Sequence, residues 1–564
     1  MSATRVSGVY YIGIYKLTPS FTYTPKPCEE SVLTLSCRKR LLGSGEVHPD
    51  FTPKFEMPKD QYENDYLSYF GPGFALPYNY PGAGPDECRT AIGRMIALRE
   101  PTKPWVNGRL IRNQERFRRK FRVTLLRYKA WFESNMDRSP YEEAYPEWLF
   151  KPNAKRRMRI EREELNQITG HDYEDDHKNV QFKPKKGELL PDGKKRGVGD
   201  LGSVRTSATA WCFDSIKAAM EGRENFKTGN YEYEFVKSPD KGKLVDVFKN
   251  LVNPASGKAY YVYFSDDCCV SAYCSDGVVF FNGDIKQCDG SHYTAMLKMV
   301  EDFLSTTRGV ENVHSSAIRR AYAYLKKDLT FRNPAKRSKQ KVKYSFTTSR
   351  MYSGFAGTTV TNNFANMMIG IALESIAPDP SVMTKAEFVL AYTRAAALAG
   401  YLVKAQLCEK PEDLQFLKHS IAIVDGEYIP YMGLGVEVRG YATFKGDLPG
   451  RGSYIKRVET FLSDVAISRS NWGLHALREA MDTRIIKDED RVQMTGAVYA
   501  STLTDMSSKS IGVSGVYIPT SALLVRYHMT EADFTDLCDQ IRSAQIGDIV
   551  FSDAAIALYN KDYG

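Results

Sequence analysis

The spacing of apolar positions changes several times along the chain. Residues 1–100 carry short alternating runs, such as Val9-Tyr10-Tyr11-Ile12-Gly13-Ile14-Tyr15, set among Pro, Gly and Tyr. Alternation at period two between breakers predicts short strands joined by long loops. Over residues 109–129 (RLIRNQERFRRKFRVTLLRYK), Leu, Ile, Phe and Val recur at helical spacing between nine Arg or Lys and one Glu. That pattern predicts an amphipathic helix with a basic face, able to track phosphates or simply to face solvent. Residues 155–166 run basic, then acidic; residues 182–202 are rich in Lys and Gly and read as loop; residues 208–222 read as a helix.

From residue 259 the period becomes that of strands. Ala259–Phe264 and Cys268–Tyr273 flank Ser265-Asp266-Asp267, which predicts a hairpin with the acids at its turn. Ser275-Asp276-Gly277 is a second turn signal, and Val278–Phe281 a third strand ending just before Asp284. Helices are predicted over 290–306, 312–328, 359–376 and 384–405, with a basic stretch at 336–343 and strands over 416–446. No internal repeat or low-complexity tract interrupts this order.

Composition narrows the class. With 564 residues, 43% apolar and 26% charged, the chain is an ordinary soluble globular protein large enough for several lobes. No apolar run reaches the roughly 18 residues of a membrane span, and no signal segment is visible. The ten cysteines follow no framework spacing, and Cys268-Cys269 are adjacent, so they read as reduced thiols of a cytosolic protein. Net charge is +9, modestly basic, and aromatics reach 12%, which suits either base stacking or packing.

Three motifs stand on these elements. Ser353-Gly354-Phe355-Ala356-Gly357-Thr358, followed by Asn362, spells S-G-x-x-x-T-x-x-x-N. Average residue usage yields that pattern in about one chain in a hundred or fewer of this length. Asp284-x-x-x-x-Asp289 precedes it, and Ser265-Asp266-Asp267 precedes both. Singly, each acidic motif reads equally well as turn chemistry, because Asp stabilises tight turns. Together the three resemble motifs B, A and C of viral RNA-directed RNA polymerases. Their order here is C, A, B, whereas most such enzymes run A, B, C; the permuted order is similar to that of permutotetravirus and birnavirus polymerases.

The resemblance implies an α+β right-hand polymerase with fingers, palm and thumb, an antiparallel palm sheet and a permuted motif order. It implies an N-terminal extension and fingers over 1–205, a palm over 206–425 with a fingers insertion around 300–345, and a thumb and C-terminal region over 426–564. Nucleotidyl transfer needs acceptor-only oxygens for two hard cations. Asp284 and Asp266 are the expected catalytic metal ligands, with Asp267 auxiliary, Mg²⁺ as cofactor and Mn²⁺ as its substitute. Ser353 and Gly354 form the loop that in the resembled family touches template and nascent pair. Thr358 and Asn362 share one helix face. Asn362 is expected to pair with Asp289 and sense the ribose 2′-OH, with Asn363 as the adjacent alternative.

Residues 183–202 (KPKKGELLPDGKKRGVGDLG) resemble motif F, which lines the nucleotide channel. Arg196 is the expected phosphate contact because its planar fork donates bidentate bonds, with Lys195 and Lys186 as helpers. Phe416-Leu417-Lys418-His419 resembles the F-L-K-R of motif E, with His in place of Arg. Lys404 or Lys410 could serve as the motif D general acid. Expected partners are RNA template and nascent RNA, NTPs and other viral proteins; the expected location is host cytoplasm, or the virion or replication complex. A reverse transcriptase would carry its Asp-Asp after motif B and usually an aromatic residue where Asn362 stands. A non-enzymatic viral RNA-binding or capsid-associated protein would need the basic stretches but not three aspartates on neighbouring strands.

Overall fold

A computed structural model describes short strands within residues 3–74, then positions 91, 121–137, 139, 141–150, 161, 180–184, 196–292, 294–310, 312–327, 329–332, 341–346, 349–441, 444–446, 476–482, 518–545 and 549–563. The fold is mixed α+β and built around a six-stranded sheet. Its strands are β1 (Phe226–Thr228), β2 (Tyr231–Phe235), β3 (Ala259–Phe264), β4 (Asp267–Cys274), β5 (Gly277–Ile285) and β6 (Val403–Leu407), in the order β6-β5-β4-β3-β2-β1. Only β2 and β3 run parallel, and the chain between them forms helix α1 (Lys241–Val252). A parallel pair needs such a crossover, whereas β3, β4 and β5 follow one another through two-residue loops as an antiparallel meander.

Both faces of this sheet are covered. On one side α1 buries Leu244, Val247, Phe248 and Leu251 against Tyr260, Val262 and Cys269. Those four positions share one helical stripe. Asp240 caps α1 by accepting from the Lys243 N–H, a contact worth ~1 kcal/mol. On the other side lie α2 (Thr358–Ile376) and α3 (Lys385–Ala399), which belong to the main core. Alternate tyrosines of β2 and β3 point at α2: Tyr231 donates to the Ala377 carbonyl, Tyr233 to the Gly370 carbonyl and Tyr261 to Asn366. The high tyrosine content is therefore used, in this sheet, for packing with satisfied hydroxyls.

Helix α3 carries Ala391, Ala395, Ala396 and Ala399 among its buried positions and packs closely along α2. It starts in a Thr384–Glu387 capping box and ends at Gly400, whose φ of 93° only glycine adopts at little cost. The helix expected over 384–405 thus stops at Gly400, and Val403–Leu407 become the edge strand β6. Two further corrections concern loops. Val180–Pro184 and Gly197–Asp200 pair antiparallel inside the stretch read as loop. Within 416–446, strands His419–Val424 and Glu427–Met432 give way to helix Leu434–Tyr441. The basic helix expected over 109–129 is described as Arg122–Asn135, and residues 101–120 lie outside the described residues.

A second sheet orders Val32–Cys37, Lys341–Phe346, Leu329–Arg332, Val180–Pro184 and Gly197–Asp200. A separate core gathers Ala422 and Tyr431 from the strand pair His419–Val424 and Glu427–Met432 with Leu434, Phe534, Leu537, Ile541 and Leu558 from helices that follow. Among the described residues, no helix is long and apolar enough to cross a membrane.

Candidate active site

The site begins at a strained turn. Phe264 pairs with Asp267, leaving Ser265-Asp266 as a two-residue loop, and Ser265 has a φ of 57°. A positive φ at the first loop position is the type II′ arrangement that normally selects glycine. Here three asparagines of α2 hold a serine in it. Asn363 Oδ1 accepts the Ser265 N–H at 2.7 Å, Asn366 Nδ2 donates to the Ser265 carbonyl at 2.6 Å, and Asn362 Nδ2 donates to Ser265 Oγ at 3.1 Å. Strain of about 1–3 kcal/mol persists only where the surroundings fix it this firmly.

The acids lie beside this turn. Asp267 is in register with Asp284, and Asp284 with Lys404, so the three form one row across β4, β5 and β6. Directly opposed residues share a face of the sheet, with Cα atoms about 4.5–5.5 Å apart. Asp266, next to Asp267, is exposed at the turn. Asp267 is half-buried; Leu417 donates its N–H to Asp267 Oδ2 at 2.8 Å. Loss of water pushes its carboxyl up to about 7, against the pull of the Leu417 N–H and Lys418, with Asp266 and Asp284 adding to the rise. The Asp284 carboxyl is also raised, first by the protein packed around it and then by Asp266, while Arg196, Lys404 and Lys286 pull it down.

These shifts have a thermodynamic consequence. A carboxyl whose folded pKa exceeds its unfolded value near 3.9 favours folding fully below that unfolded value, and the contribution is lost as pH rises through about 7. In metal-free solution, the melting temperature should therefore carry a component from Asp267 that falls between pH 4 and 7, by a few degrees at most. Asp267→Asn should lack that component. Thermal melts of both proteins across this range check it; parallel profiles would show that Asp267 is not the group responsible.

The second acid of the A-like motif sits on a helical turn, Cys288–Ser291, entered through Gln287 at a φ of 47°. Asn362 Nδ2 reaches Asp289 Oδ1 at 3.3 Å. Asn362 itself is only 3% exposed, so Asp289 is the member of the pair open to a ligand. Asn363 is turned toward Ser265 and Met220, which makes it part of the scaffold.

Thr358 opens α2 and its hydroxyl donates to the Phe355 carbonyl at 2.7 Å, closing the preceding loop. Ser353 is exposed and donates to the Gly197 carbonyl at 3.1 Å. Gly354 does not take a positive φ; its need for glycine is space, since a Cβ there would collide with the Gly199 carbonyl oxygen. The S-G loop thus lies against strand Gly197–Asp200, which starts beside Arg196. Arg196, Ser353, Gly354, Asp266, Asp267, Asp284, Asp289 and Asn362 are brought into one region. Lys186 and Lys195 lie outside the described residues.

Phe416-Leu417-Lys418-His419 is a tight turn with Leu417 and Lys418 at φ 52° and 64°, closed by paired backbone bonds between Phe416 and His419. Two left-handed residues in succession make it type I′. His419 is buried, and burial pushes its imidazole down to about 4, so it is neutral near pH 7 and supplies no cation in place of arginine. Lys404 stands in the acid row, whereas Lys410 opens the turn Pro411–Asp413.

Residues the sequence reading missed are His292, Tyr401 and Asn366. Helix α2 is buried on nearly all sides from Val360 to Leu373, yet it carries Thr361, Asn362, Asn363 and Asn366. Buried amides require partners, and that excess was the available signal.

Among the described residues, no three His, Cys, Asp or Glu side chains converge as a ready metal cage. The donor set nevertheless fits Mg²⁺, which prefers oxygen and binds through one or two carboxylates plus substrate phosphates. The raised carboxyls of Asp267 and Asp284 owe most to lost water and less to neighbouring carboxylates, and a divalent cation would offset both.

In overall structure the chain is similar to birnavirus proteins. The RNA polymerase VP1 from Infectious Pancreatic Necrosis Virus aligns at 12% identity over 90% of this chain and 62% of its own, with a TM-score of 0.39. The birnavirus VP1-VP3 complex aligns at 11% identity over 68% of this chain and 51% of its own, with a TM-score of 0.38. The chain thus spans less than two thirds of the length of either. No protein-family model and no curated protein sequence matches it. Likeness this distant says nothing of chemistry, which has to come from the side chains.

Proposed function

We propose that this chain is a template-directed RNA polymerase working by two-metal nucleotidyl transfer with a permuted palm. One observation carries the reading: the row Asp267–Asp284–Lys404 across adjoining strands, beside a strained turn presenting Asp266, with Asn362 tying that turn to Asp289. A solvated acidic turn has no need of three buried asparagines to hold it.

In this reading the six-stranded sheet is the palm, and the pair Val180–Pro184 and Gly197–Asp200, with Arg196 just before its second strand, belongs to the fingers. Asp284 and Asp266 would hold the cations, with Asp267 as auxiliary; bound Mg²⁺ supplies charge stabilisation at the attacking and leaving oxygens. Arg196 offers a planar donor set to the triphosphate. The Ser353-Gly354 loop faces the template, and Lys404 is the choice over Lys410 for protonating departing pyrophosphate, because only Lys404 is in register with Asp284. Substrates are NTPs and an RNA template. The setting we expect is host cytoplasm, a virion or a replication complex with other viral proteins.

The test is incorporation of labelled NTP or dNTP on a homopolymer template with Mg²⁺ or Mn²⁺. Template-dependent NTP incorporation supports the reading. Preference for dNTP would favour a reverse transcriptase, and absence of incorporation would favour a binding role.

Asp289 gives a second expected result. As the group open to a ribose, it should accept from the 2′-OH, so Asp289→Ala should lower the NTP/dNTP ratio in kcat/KM about tenfold, the worth of one buried hydrogen bond. Asn362→Ala should damage both substrates, because it also releases Ser265. A wild-type ratio in Asp289→Ala would move the ribose contact elsewhere.

A further inference from the structure

Behind the Asp289–Asn362 pair lies a buried chain of polar groups that the reading above does not use. His292 Nε2 is 2.8 Å from Asn362 Oδ1, and His292 Nδ1 is 3.0 Å from the Tyr401 hydroxyl. His292 is 1% exposed and Tyr401 fully buried, with their rings edge to face at 5.7 Å. Cys288 Sγ lies 3.8 Å from the same Nε2.

The direction of each bond follows from what the groups can do. An ionised Asp289 only accepts, so the Asn362 amide must turn its NH₂ toward it. Asn362 Oδ1 then faces His292, and an oxygen there requires a donor, so Nε2 carries a proton. In the neutral imidazole Nδ1 is then an acceptor, and the Tyr401 hydroxyl donates to it. Donation therefore runs one way, from Tyr401 to His292 to Asn362 to Asp289. Were the amide reversed, its oxygen would oppose the Asp289 carboxylate and its NH₂ would oppose an N–H. Nothing intrinsic to asparagine prefers one orientation; the Asp289 carboxylate on one side and the His292 N–H on the other fix it together.

We infer that His292, fixed in its Nε2–H form by Tyr401, is a specificity-positioning residue: it orients the Asn362 amide and through it holds Asp289 ready for the ribose 2′-OH. The inference rests on the polymerase reading and goes further by assigning sugar discrimination to two buried residues that touch no substrate. His292 and Tyr401 belong to different elements, the segment after Cys288–Ser291 and the segment between α3 and β6. Sugar choice is thereby linked to the packing of that edge of the sheet.

The experiment compares NTP and dNTP incorporation by wild type, His292→Leu, His292→Gln and Tyr401→Phe, with KM and kcat separated. Leu removes the donor. Gln can present an NH₂ where Nε2 stood. Phe keeps the ring but frees the histidine tautomer. The expected result is a fall of about tenfold in the NTP/dNTP ratio for His292→Leu. Most of the ratio should return in His292→Gln, and Tyr401→Phe should show a fall of about threefold. The change should come from improved dNTP use more than from lost NTP turnover. Should His292→Leu fail to fold, Tyr401→Phe decides, and a wild-type ratio there overturns the inference. Equal loss with both sugars, with Gln no better than Leu, would reduce His292 to a packing role and overturn it too. Active wild type with ratios unmoved in every variant sinks this inference while leaving the polymerase reading standing. A wild type that incorporates neither nucleotide removes both.

Discussion

Asp284→Ala is expected to abolish nucleotide incorporation, by at least about a thousandfold, which corresponds to ~4 kcal/mol of lost transition-state stabilisation. Asp284 is the centre of the row, in register with Asp267 on one side and Lys404 on the other. Its removal takes away a cation ligand and the carboxylate that Lys404 and Arg196 act on. The fold should survive, because Asp284 lies exposed on the sheet and its charged carboxyl is disfavoured, first by the protein packed around it and then by Asp266. Relief of that repulsion should leave the metal-free melting temperature unchanged or slightly higher. Asp266→Ala should behave alike. Turnover near wild type in Asp284→Ala would remove the catalytic assignment; unfolding of the variant would show that the acid is structural.

Much of this region was legible in the sequence. Short gaps between β-rich runs, read as Ser265-Asp266-Asp267 and Ser275-Asp276-Gly277, predict a meander and so the neighbourhood of Asp267 and Asp284; the structure narrows each gap to two residues, with Asp267 and Gly277 inside the strands. Asn362 and Asp289, 73 residues apart, were paired only through the family resemblance, since nothing local joins them. The edge strand β6 was hidden because Ala-rich helical periodicity runs up to Gly400 and the five strand residues after it are too few to signal a change of period. Choosing Lys404 over Lys410 required register, which sequence spacing does not carry. Glycine at 354 is expected for backbone freedom and for close backbone approach; the structure uses the second, at the Gly199 carbonyl, a partner 155 residues away that no local rule identifies. The sequence marks Asn363 only as an alternative to Asn362, and Asn366 not at all, because the turn they hold is distant in sequence.

The largest effect on stability is expected at Asp562, far from the acid row in sequence. Its carboxylate is buried and accepts from Arg526 Nε at 3.0 Å, Arg526 Nη2 at 2.9 Å, Gln415 Nε2 at 3.1 Å, the Tyr527 hydroxyl at 2.9 Å and the Gly435 N–H at 2.8 Å. Arg526 in turn donates to the carbonyls of Glu412 and Asp413. Asp562→Ala would leave a buried guanidinium without its counter-charge and three other donors unmatched. Breaking one side of such a pair costs about 3–5 kcal/mol, whereas replacing both partners with apolar groups of similar volume costs much less. Urea unfolding should therefore show Asp562→Ala far below wild type and the double variant Arg526→Met, Asp562→Leu closer to it. The damage should also reach the site. Lys418 Nζ donates to the Asp562 carbonyl at 2.6 Å and lies 4.3 Å from the centre of the Tyr563 ring, while Leu417, the next residue in the same strained turn, donates to Asp267. Loosening helix Asp553–Tyr563 should free that turn and raise the Mg²⁺ concentration needed for half-maximal incorporation, even at temperatures where the variant is folded. A variant within about 1 kcal/mol of wild type would mean that water satisfies Arg526 and that this cluster is not what holds the turn against Asp267.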